Sequence, residues 1–369
     1  MMKKIPFCDY KRLYTDYRDD YLNIFDQVAS SGGFIMQKAL SDFEVELADF
    51  IGCKYAIGVA NCTDGLEIGW QTIGLRPGDE VICCSHTFIA TASSIVMAGG
   101  VPVPVEIGED NLIDPEAVAD AINSRTVGIM PTQLNGRTCD MERIMDIAER
   151  FKLFVIEDAA QALGSKFKGK HSGTFGNLGA ISFYPAKVMG CFGDGGAVIT
   201  NNEKIFDKAF QLHEQGRDTS GEIKSWGRNS RLDNIQAAIL SFQLKKYNEV
   251  IYKRRKIASY YDSRLSSLEE LKLPPAPTEN GDHFDIYQNY EFTAERRDEL
   301  KDFLFKRGIG TLVQWNGKGV HQWEPLGFNI KLPKVEEFFR NSIMIPIWPY
   351  LSDEDLEYIV DSIFAFYRK

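Results

Sequence analysis

A lysine at the end of an apolar segment is the residue best placed to act as a nucleophile. Lys187 follows the apolar residues 181–184 and precedes a glycine cluster at residues 193–196. Glycine lets the backbone pass close to a ligand, and an amine at the end of a buried strand is partly removed from water. Desolvation favours the neutral amine, which is the form that Schiff-base chemistry requires. Taken alone, a lysine is most often a solvated surface residue.

An aspartate occupies a comparable position after another apolar segment. Residues 153–156 lead directly into Glu157 and Asp158. A buried aspartate can hold a pyridinium nitrogen in its protonated form, which allows a heterocyclic ring to accept electrons during catalysis. A helix cap and a metal-binding acid are the alternatives for Asp158, and the residue type alone does not decide among them.

The third feature is a candidate anion-binding site. Residues 61–66 follow a short strand, and Thr63 and Asp64 are expected to begin a helix that continues through Trp70. The free N–H groups at a helix N-terminus bind phosphate. An ordinary capped helix is the alternative for this segment.

Short apolar runs alternate with amphipathic segments between about residues 50 and 200, and they predict the elements that position these side chains. The expected strands are residues 80–84, 101–105, 127–130, 153–156 and 181–184. Residues 115–122 and 141–148 have the spacing of covering helices. The pattern predicts an α/β fold with a mostly parallel sheet and helices on both faces. Ligands bind beyond the carboxyl ends of such strands, where all three features lie.

The C-terminal part of the chain has a different pattern. The expected elements are a long helix at residues 232–265, a proline-rich segment at 274–277, an extended segment at 287–292 and a helix at 297–305. This α+β arrangement predicts two domains, a large α/β domain of residues 1–250 and a small domain of residues 251–369.

Composition limits the class of protein. The chain has 369 residues, of which 44% are hydrophobic, enough for a large core. A net charge of -10 and a pI near 5.2 argue against nucleic-acid binding, which concentrates Lys and Arg. The N-terminus turns charged before an apolar run reaches signal-peptide length, and no later stretch is long enough to span a membrane. A cytoplasmic protein without a membrane partner is therefore expected.

The seven cysteines lack the CxxC spacing that is typical of metal and redox sites, and no metal site is predicted. They are expected to be buried, reduced thiols. A reactive Cys191 beside the glycine cluster is the alternative.

Five segments together carry a family resemblance. They are residues 61–66, 157–161, 182–187, 193–196 and 229–233, which read Asn-Cys-Thr-Asp-Gly-Leu, Glu-Asp-Ala-Ala-Gln, Ser-Phe-Tyr-Pro-Ala-Lys, Gly-Asp-Gly-Gly and Asn-Ser-Arg-Leu-Asp. In this order, over nearly the whole chain, the sequence resembles the sugar aminotransferases of the DegT/DnrJ/EryC1/StrS family. The resemblance implies a fold-type-I aminotransferase with pyridoxal 5'-phosphate as cofactor. It also implies a homodimer with the active site at the subunit interface.

The resemblance assigns roles to individual residues. Lys187 would bind the cofactor as a Schiff base and move a proton during catalysis, Asp158 would pair with the pyridinium nitrogen, and Gln161 would bond to the ring hydroxyl. The other cofactor contacts would come from Thr63, the backbone near Asp64 and Ser182 at the phosphate, Phe88 at the ring, and Asn229 at the phosphate of the neighbouring subunit.

The resemblance further implies L-glutamate as the amino donor and a nucleotide-linked keto sugar as the acceptor, for surface glycan biosynthesis such as that of O-antigen or lipopolysaccharide. Residues 229–233 resemble enzymes that aminate C3 of a 3-keto-6-deoxyhexose or a 3-keto-hexosamine. Two segments depart from the family pattern. Residues 213–217 space His and Gly more widely, and residues 311–323 replace a proline-containing segment.

Residues 311–323 could form part of a substrate site. Trp315 and Trp323 could stack a base, and Lys318 and His321 between them could pair with a diphosphate. Tyr184 is a further candidate substrate residue. Packing of the small domain around a satisfied histidine is the alternative. A C4 sugar or cyclitol aminotransferase, and a non-catalytic cofactor-binding regulator, are the alternative functions.

Overall fold

A seven-stranded sheet forms the centre of the larger part of the molecule. The computed structural model describes residues 3–368; Met1, Met2 and Lys369, at the outer ends of the two predicted domains, lie outside this range. The strands are β1 Tyr55–Val59, β2 Glu80–Cys84, β3 Val101–Val105, β4 Thr126–Met130, β5 Phe154–Asp158, β6 Lys166–Phe167, β7 Lys170–His171, β8 Leu178–Ser182, β9 Gly196–Thr200, β10 Leu271–Lys272, β11 His283–Phe284, β12 Tyr290–Ala294 and β13 Ser342–Ile345. The large sheet has the order β1-β9-β8-β5-β4-β2-β3. Neighbours from β3 to β8 are parallel, and β9 runs antiparallel to both of its neighbours, which confirms a mostly parallel sheet.

Helices cover both faces of this sheet. They are α1 Tyr10–Thr15, α2 Arg18–Ser31, α3 Lys38–Ile51, α4 Cys62–Ile73, α5 Ile89–Met97, α6 Pro115–Ala121, α7 Met141–Phe151, α8 Glu203–His213, α9 Asn234–Leu244, α10 Tyr247–Leu265, α11 Arg297–Lys306, α12 Pro333–Asn341 and α13 Asp353–Tyr367. On one face α3 and α9 bury Phe43 and Leu240 against Ile181. On the other, α4 buries Ile68 against Val198. No described helix combines the length and the apolar character needed to cross a membrane.

The single long helix predicted for residues 232–265 is wrong. Two helices, α9 and α10, are separated at Lys245 and Lys246. Neither Gly nor Pro marks the break, so the helical pattern continues across it in the sequence. The Lys246 ammonium lies 5.2 Å from the centre of the Tyr17 ring and 5.3 Å from that of Phe242. The contact with Tyr17 depends on the distant N-terminal segment, which a local pattern does not contain.

Two predicted strands are displaced along the chain. The strand predicted at residues 181–184 is β8, which begins at Leu178. Its Gly179 is in contact with the backbone of Gly173, at a distance that leaves no space for a Cβ atom, so small residues fill part of this buried strand. The segment predicted as extended over residues 287–292 becomes a strand only at Tyr290, because Tyr287 has a left-handed backbone with φ +53°.

A second, three-stranded sheet with the order β10-β12-β13 lies in the C-terminal part. Its core contains Phe292 together with Leu300 of α11 and Ile359 of α13. Helix α10 contributes to both cores, since Ile251 packs with the large sheet and Ile257 with the small one. The domain boundary at residues 250 and 251 stays a prediction.

Glu44 is a largely buried carboxyl group on α3. Its Oε1 accepts a hydrogen bond from the backbone N–H of Gly58 in β1 at 2.7 Å. Burial raises the pKa of Glu44 to about 7, and this hydrogen bond opposes the shift. Glu44 therefore binds a proton more strongly in the folded protein than an ordinary glutamate does in the unfolded chain.

We expect Glu44→Gln to flatten the dependence of stability on pH. A folded pKa above the unfolded value means that proton binding by Glu44 stabilises the fold at low pH, and that this contribution is lost as the pH rises through about 7. Glutamine keeps the acceptor for Gly58 without the charge, so the variant should gain about 1–3 kcal/mol over wild type at about pH 8 and nothing near pH 4.5. Denaturant unfolding across this range measures the difference. The exposed Glu337→Gln is the control, and coinciding curves for Glu44→Gln and wild type would contradict the prediction.

Candidate active site

A cleft of about 810 Å³ opens where β5 and β8 end beside the N-terminus of α4. The parallel pairing of β5 with β8 brings Asp158 and Ser182, the last residues of these strands, to the same edge of the sheet. Most of the residues singled out from the sequence line this cleft. They are Thr63, Asp64, Phe88, Asp158, Gln161, Ser182, Tyr184, Lys187 and Trp315.

Lys187 lies in a turn that begins directly after β8. Its backbone N–H donates to the carbonyl oxygen of Tyr184 at 2.8 Å. Gln288 holds the turn on both sides of the lysine, because its side chain donates to the Ala186 carbonyl at 2.9 Å and accepts from the Val188 N–H at 2.8 Å. Sequence reasoning missed Gln288, since it lies about a hundred residues away in the chain and carries no motif.

Burial lowers the pKa of Lys187 below that of an ordinary lysine, although nearby Cys62 and Asp158 act in the opposite direction. No hydrogen bond within the described residues engages its Nζ atom. The amine is therefore partly desolvated, inclined towards its neutral form and free to react, as Schiff-base chemistry requires.

Asp158 is a buried carboxylate with defined partners. Its Oδ2 accepts from the Thr91 hydroxyl at 2.6 Å and its Oδ1 from the Ala160 N–H at 3.2 Å. Burial raises the pKa of Asp158, whereas these hydrogen bonds and the Lys187 charge lower it. Thr87 lies 2.6 Å from Thr91, hydroxyl to hydroxyl. These threonines were not predicted; their spacing of four residues in the segment after β2 was the available signal.

Helix α4 begins at Cys62, one residue earlier than predicted, and Asn61 is its N-cap. The Asn61 side chain accepts from the Asp64 N–H at 2.8 Å. The N–H groups of Cys62 and Thr63 have no acceptor within residues 3–368. The backbone of Gly196 approaches so closely that a Cβ atom there would lie 2.6 Å from the Cys62 nitrogen. Two free donors at a helix N-terminus thus belong to residues that line the cleft, which suits a phosphate group.

Aromatic side chains form another wall of the cleft. Phe88 is 53% exposed, and its ring centre lies 6.4 Å from that of Trp315. Trp315 packs edge-on against His86 and Phe339 and has a left-handed backbone with φ +47°. A half-exposed phenylalanine beside a fixed tryptophan can cover one face of a flat ring.

Besides Trp323, three residues named from the sequence as ligand contacts lie outside this cleft. Asn229 is exposed, and its backbone pairs with Glu214. The Lys318 ammonium stands 5.0 Å from the centre of the Trp323 ring. His321 is buried, with its Nδ1 2.7 Å from the Ser85 hydroxyl and its Nε2 3.4 Å from Glu336. These contacts fit a packing role for His321, and the assignment of all three residues to ligands stays a prediction.

The cysteines are unpaired. Cys62 lines the cleft, and burial raises its pKa well above the usual value. Burial also raises the pKa of Cys191 to about 12, so little of its reactive thiolate forms near neutral pH. This agrees with the expected buried thiols; Cys8 and Cys53 are half-buried.

Glu157, next to Asp158, has a structural role. It is completely buried and accepts four hydrogen bonds, from the backbone N–H groups of Gly173, Phe175 and Gly176 and from the Gln133 side chain, at 2.6 to 2.8 Å. These bonds hold the loop that leads into β8. The carboxylate therefore helps to place the strand that carries Ser182.

We expect Glu157→Gln to destabilise the fold by about 2–4 kcal/mol. The NH₂ group of the glutamine would face one of the buried donors, and that donor would then lack an acceptor. Denaturant unfolding measures this loss. The exposed Glu149→Gln on α7 is the matched control and should change stability by less than about 0.5 kcal/mol. A stability of Glu157→Gln within that range would contradict the structural role.

Comparison with known proteins identifies the family of the chain. A sequence model of the DegT/DnrJ/EryC1/StrS aminotransferase family matches residues 16–364. The pleiotropic regulatory protein of Geobacillus stearothermophilus is 36% identical, with 99% of each chain covered. The dTDP-3-amino-3,4,6-trideoxy-alpha-D-glucose transaminase of Streptomyces venezuelae is 35% identical over 98% of this chain and 95% of its own. The crystal structure of NtdA from Bacillus subtilis with its bound cofactor PMP superposes with a TM-score of 0.91 at 29% identity, covering 100% of this chain and 86% of that one.

Fold and site together define a fold-type-I enzyme that uses pyridoxal 5'-phosphate. The desolvated Lys187 amine, the buried Asp158 carboxylate and the free donors of α4 fit that cofactor. The chain belongs to the DegT/DnrJ/EryC1/StrS aminotransferase family, and it is a pyridoxal-phosphate-dependent aminotransferase.

Proposed function

We propose that this aminotransferase moves the amino group of L-glutamate to C3 of a nucleotide-linked keto sugar, with Lys187 as the catalytic residue. The observation that carries the proposal is the desolvated amine of Lys187, which makes no hydrogen bond or salt bridge within residues 3–368, in a cleft shared with Asp158. Similarity to a transaminase named for a dTDP-linked 3-amino sugar supports the acceptor and the carbon. We assign the enzyme to the cytoplasm, with its product used in surface glycan biosynthesis.

Residues around the cleft would hold the cofactor, which when bound supplies an electron sink for the substrate Cα. Lys187 would bind it covalently, Asp158 would keep its ring nitrogen protonated, and Gln161 would donate to its ring oxygen. Thr63, Ser182 and the free N–H groups of α4 would bind its phosphate, and Phe88 would cover its ring. Asn229 would reach the phosphate from the second copy of a homodimer, which is consistent with its exposed position outside this cleft.

Lys187 also has an acid-base role in the proposal. Its Nζ would take the proton from the Cα of glutamate and return a proton later in the cycle. Because burial lowers its pKa, a larger fraction of the amine is neutral near pH 7 than for a solvated lysine. The absence of a hydrogen-bond partner within the described residues leaves it free to move between positions.

The acceptor would lie on the open side of the cleft. Tyr184 is 53% exposed there, and Trp315 lines the same wall. Lys318 and His321 follow Trp315 in sequence, and we keep them as candidates for contacts with the nucleotide diphosphate.

We expect Lys187→Ala to keep the fold and to lose both the visible absorption band of the covalently bound cofactor and all measurable turnover. Wild type with added pyridoxal phosphate should show that band, and L-glutamate should bleach it. The exposed Lys331→Ala is the control and should behave as wild type. A full band and full activity in Lys187→Ala would remove Lys187 from its role, and a wild-type band that glutamate leaves unchanged would exclude glutamate as the donor.

A panel run in the reverse direction tests the acceptor. Wild type and 2-oxoglutarate are incubated with dTDP- or UDP-linked 3-amino hexoses, with the matching 4-amino hexoses, and with a free amino cyclitol. We expect glutamate to form only with the 3-amino sugar nucleotides. Turnover of the 4-amino sugars alone would favour a C4 enzyme, turnover of the cyclitol alone would exclude the nucleotide sugar, and turnover of none would support a regulatory protein.

A further inference from the structure

Four amide side chains, a glutamate and a histidine form a group that connects the large sheet to the C-terminal part of the chain. We call it the buried amide network. Its members are Gln161, Asn135, Asn289, Gln314, Glu291 and His86. Gln161, Asn135 and His86 follow strands of the large sheet, whereas Asn289, Glu291 and Gln314 come from the region of β12 and β13.

The network fixes the orientation of the Gln161 amide. The Oε1 atom of Gln161 accepts from the backbone N–H of Asn135 at 2.8 Å and from the Asn289 side chain at 3.4 Å. A backbone N–H can only donate, so the oxygen of Gln161 must face it. The Nε2 group of Gln161 has no acceptor within residues 3–368, while Gln161 lines the cleft. Gln161 is therefore available to a ligand as a donor.

Asn135 is the centre of the network. It has a left-handed backbone with φ +56°, a conformation that Asn adopts more readily than most residues. Its Oδ1 accepts from Asn289 at 2.8 Å and from Gln314 at 3.0 Å, and its Nδ2 donates to Glu291 Oε2 at 2.7 Å. Each of these bonds restricts the turn whose N–H holds Gln161.

Glu291 and His86 anchor the network. Glu291 is 4% exposed, and its Oε2 also accepts from Gln314 at 2.7 Å. The Nδ1 of His86 lies 2.8 Å from the carbonyl oxygen of Asn111, so it must carry a proton. The Nε2 of His86 lies 3.5 Å from Glu291 Oε2.

Other charged groups near Glu291 form pairs of their own. Arg137 forms an ion pair with Asp285 at 2.6 Å. Arg137, Asp110 and Glu291 line a small cavity of about 40 Å³. The Oε1 atom of Glu291 is buried and has no hydrogen-bond partner within residues 3–368. Within residues 3–368, Glu291 therefore accepts hydrogen bonds from the network through its Oε2 atom only.

We propose that the buried amide network is a positioning device for the cofactor. Through Asn135 and Asn289, Glu291 and His86 hold Gln161 with its NH₂ group towards the cleft, where it donates to the ring oxygen of the cofactor. Glu291 is thus a positioning residue, which acts through Gln161 and does not touch the cofactor. This inference rests on the proposed function, since it requires the cofactor ring beside Gln161.

The test uses the full chain loaded with pyridoxal phosphate and a double-mutant cycle. The variants are Glu291→Gln, Gln161→Ala, the two combined, and Asn289→Ala, which removes a donor at a less buried site. Glu46→Gln on α3 is the matched control, because Glu46 also has a buried oxygen without a partner but lies away from the cleft. The measurements are the pH midpoint of the visible absorption band, the dissociation constant of the cofactor and the melting temperature.

We expect Glu291→Gln, Asn289→Ala and Gln161→Ala each to shift the midpoint by about half a unit or more and to weaken cofactor binding about tenfold. In the Gln161→Ala background, Glu291→Gln should cause no further shift. An unshifted midpoint in both Glu291→Gln and Asn289→Ala, or a full additional shift in the double variant, would overturn the inference. A wild-type protein that forms no band at all would instead refute the proposed function on which the inference depends.

Discussion

The burial of charged groups at one edge of the sheet is the constraint on which the rest of the structure depends. An unpaired charge in a protein interior is costly, so each group must be neutral or be supplied with hydrogen bonds. Adjacent residues of β5 meet this requirement differently. Glu157 is satisfied by the loop before β8, while Asp158 is satisfied by Thr91 and a backbone N–H. Glu157 thus stabilises the fold, whereas Asp158 lines the cleft, where it could contact a ligand.

The same constraint applies to the buried amine of Lys187. Its amine is desolvated because β8 ends in a cleft bordered by α4, and no salt bridge within residues 3–368 involves it. The strand that leads to it is placed by the loop that Glu157 holds, and its own turn is held by Gln288. The backbone around Lys187 is thus held in position, while its Nζ atom makes no hydrogen bond within residues 3–368.

The C-terminal part of the chain takes part in building the site on the large sheet. Helix α10 contributes to both cores, and Gln288, Asn289 and Gln314 reach residues at the base of the cleft. Residues 311–323, which depart from the family pattern, contribute side chains to this part of the structure. The Gln314 side chain donates hydrogen bonds to Asn135 and Glu291, and the neighbouring Trp315 lines the cleft. A change in this segment would therefore alter the packing beneath the cofactor site as well as the substrate side.

The sequence by itself determined the α/β fold, most strands of the large sheet, and the residues that gather in the cleft. For the strands and for Asp158 and Lys187 the signal is local, an apolar run and then a polar residue after it, whereas Phe88, Gln161 and Ser182 were named through the family resemblance. The break between α9 and α10 and the start of β8 at Leu178 needed the tertiary structure. So did Thr91, Gln288 and the amide network, because their partners are tens to hundreds of residues away. The N-cap at Asn61 is a local contact with Asp64 that the sequence prediction missed. Desolvation and hydrogen-bond satisfaction are properties of the packed chain, and they lower the pKa of Lys187 and give both ring nitrogens of His321 a polar neighbour.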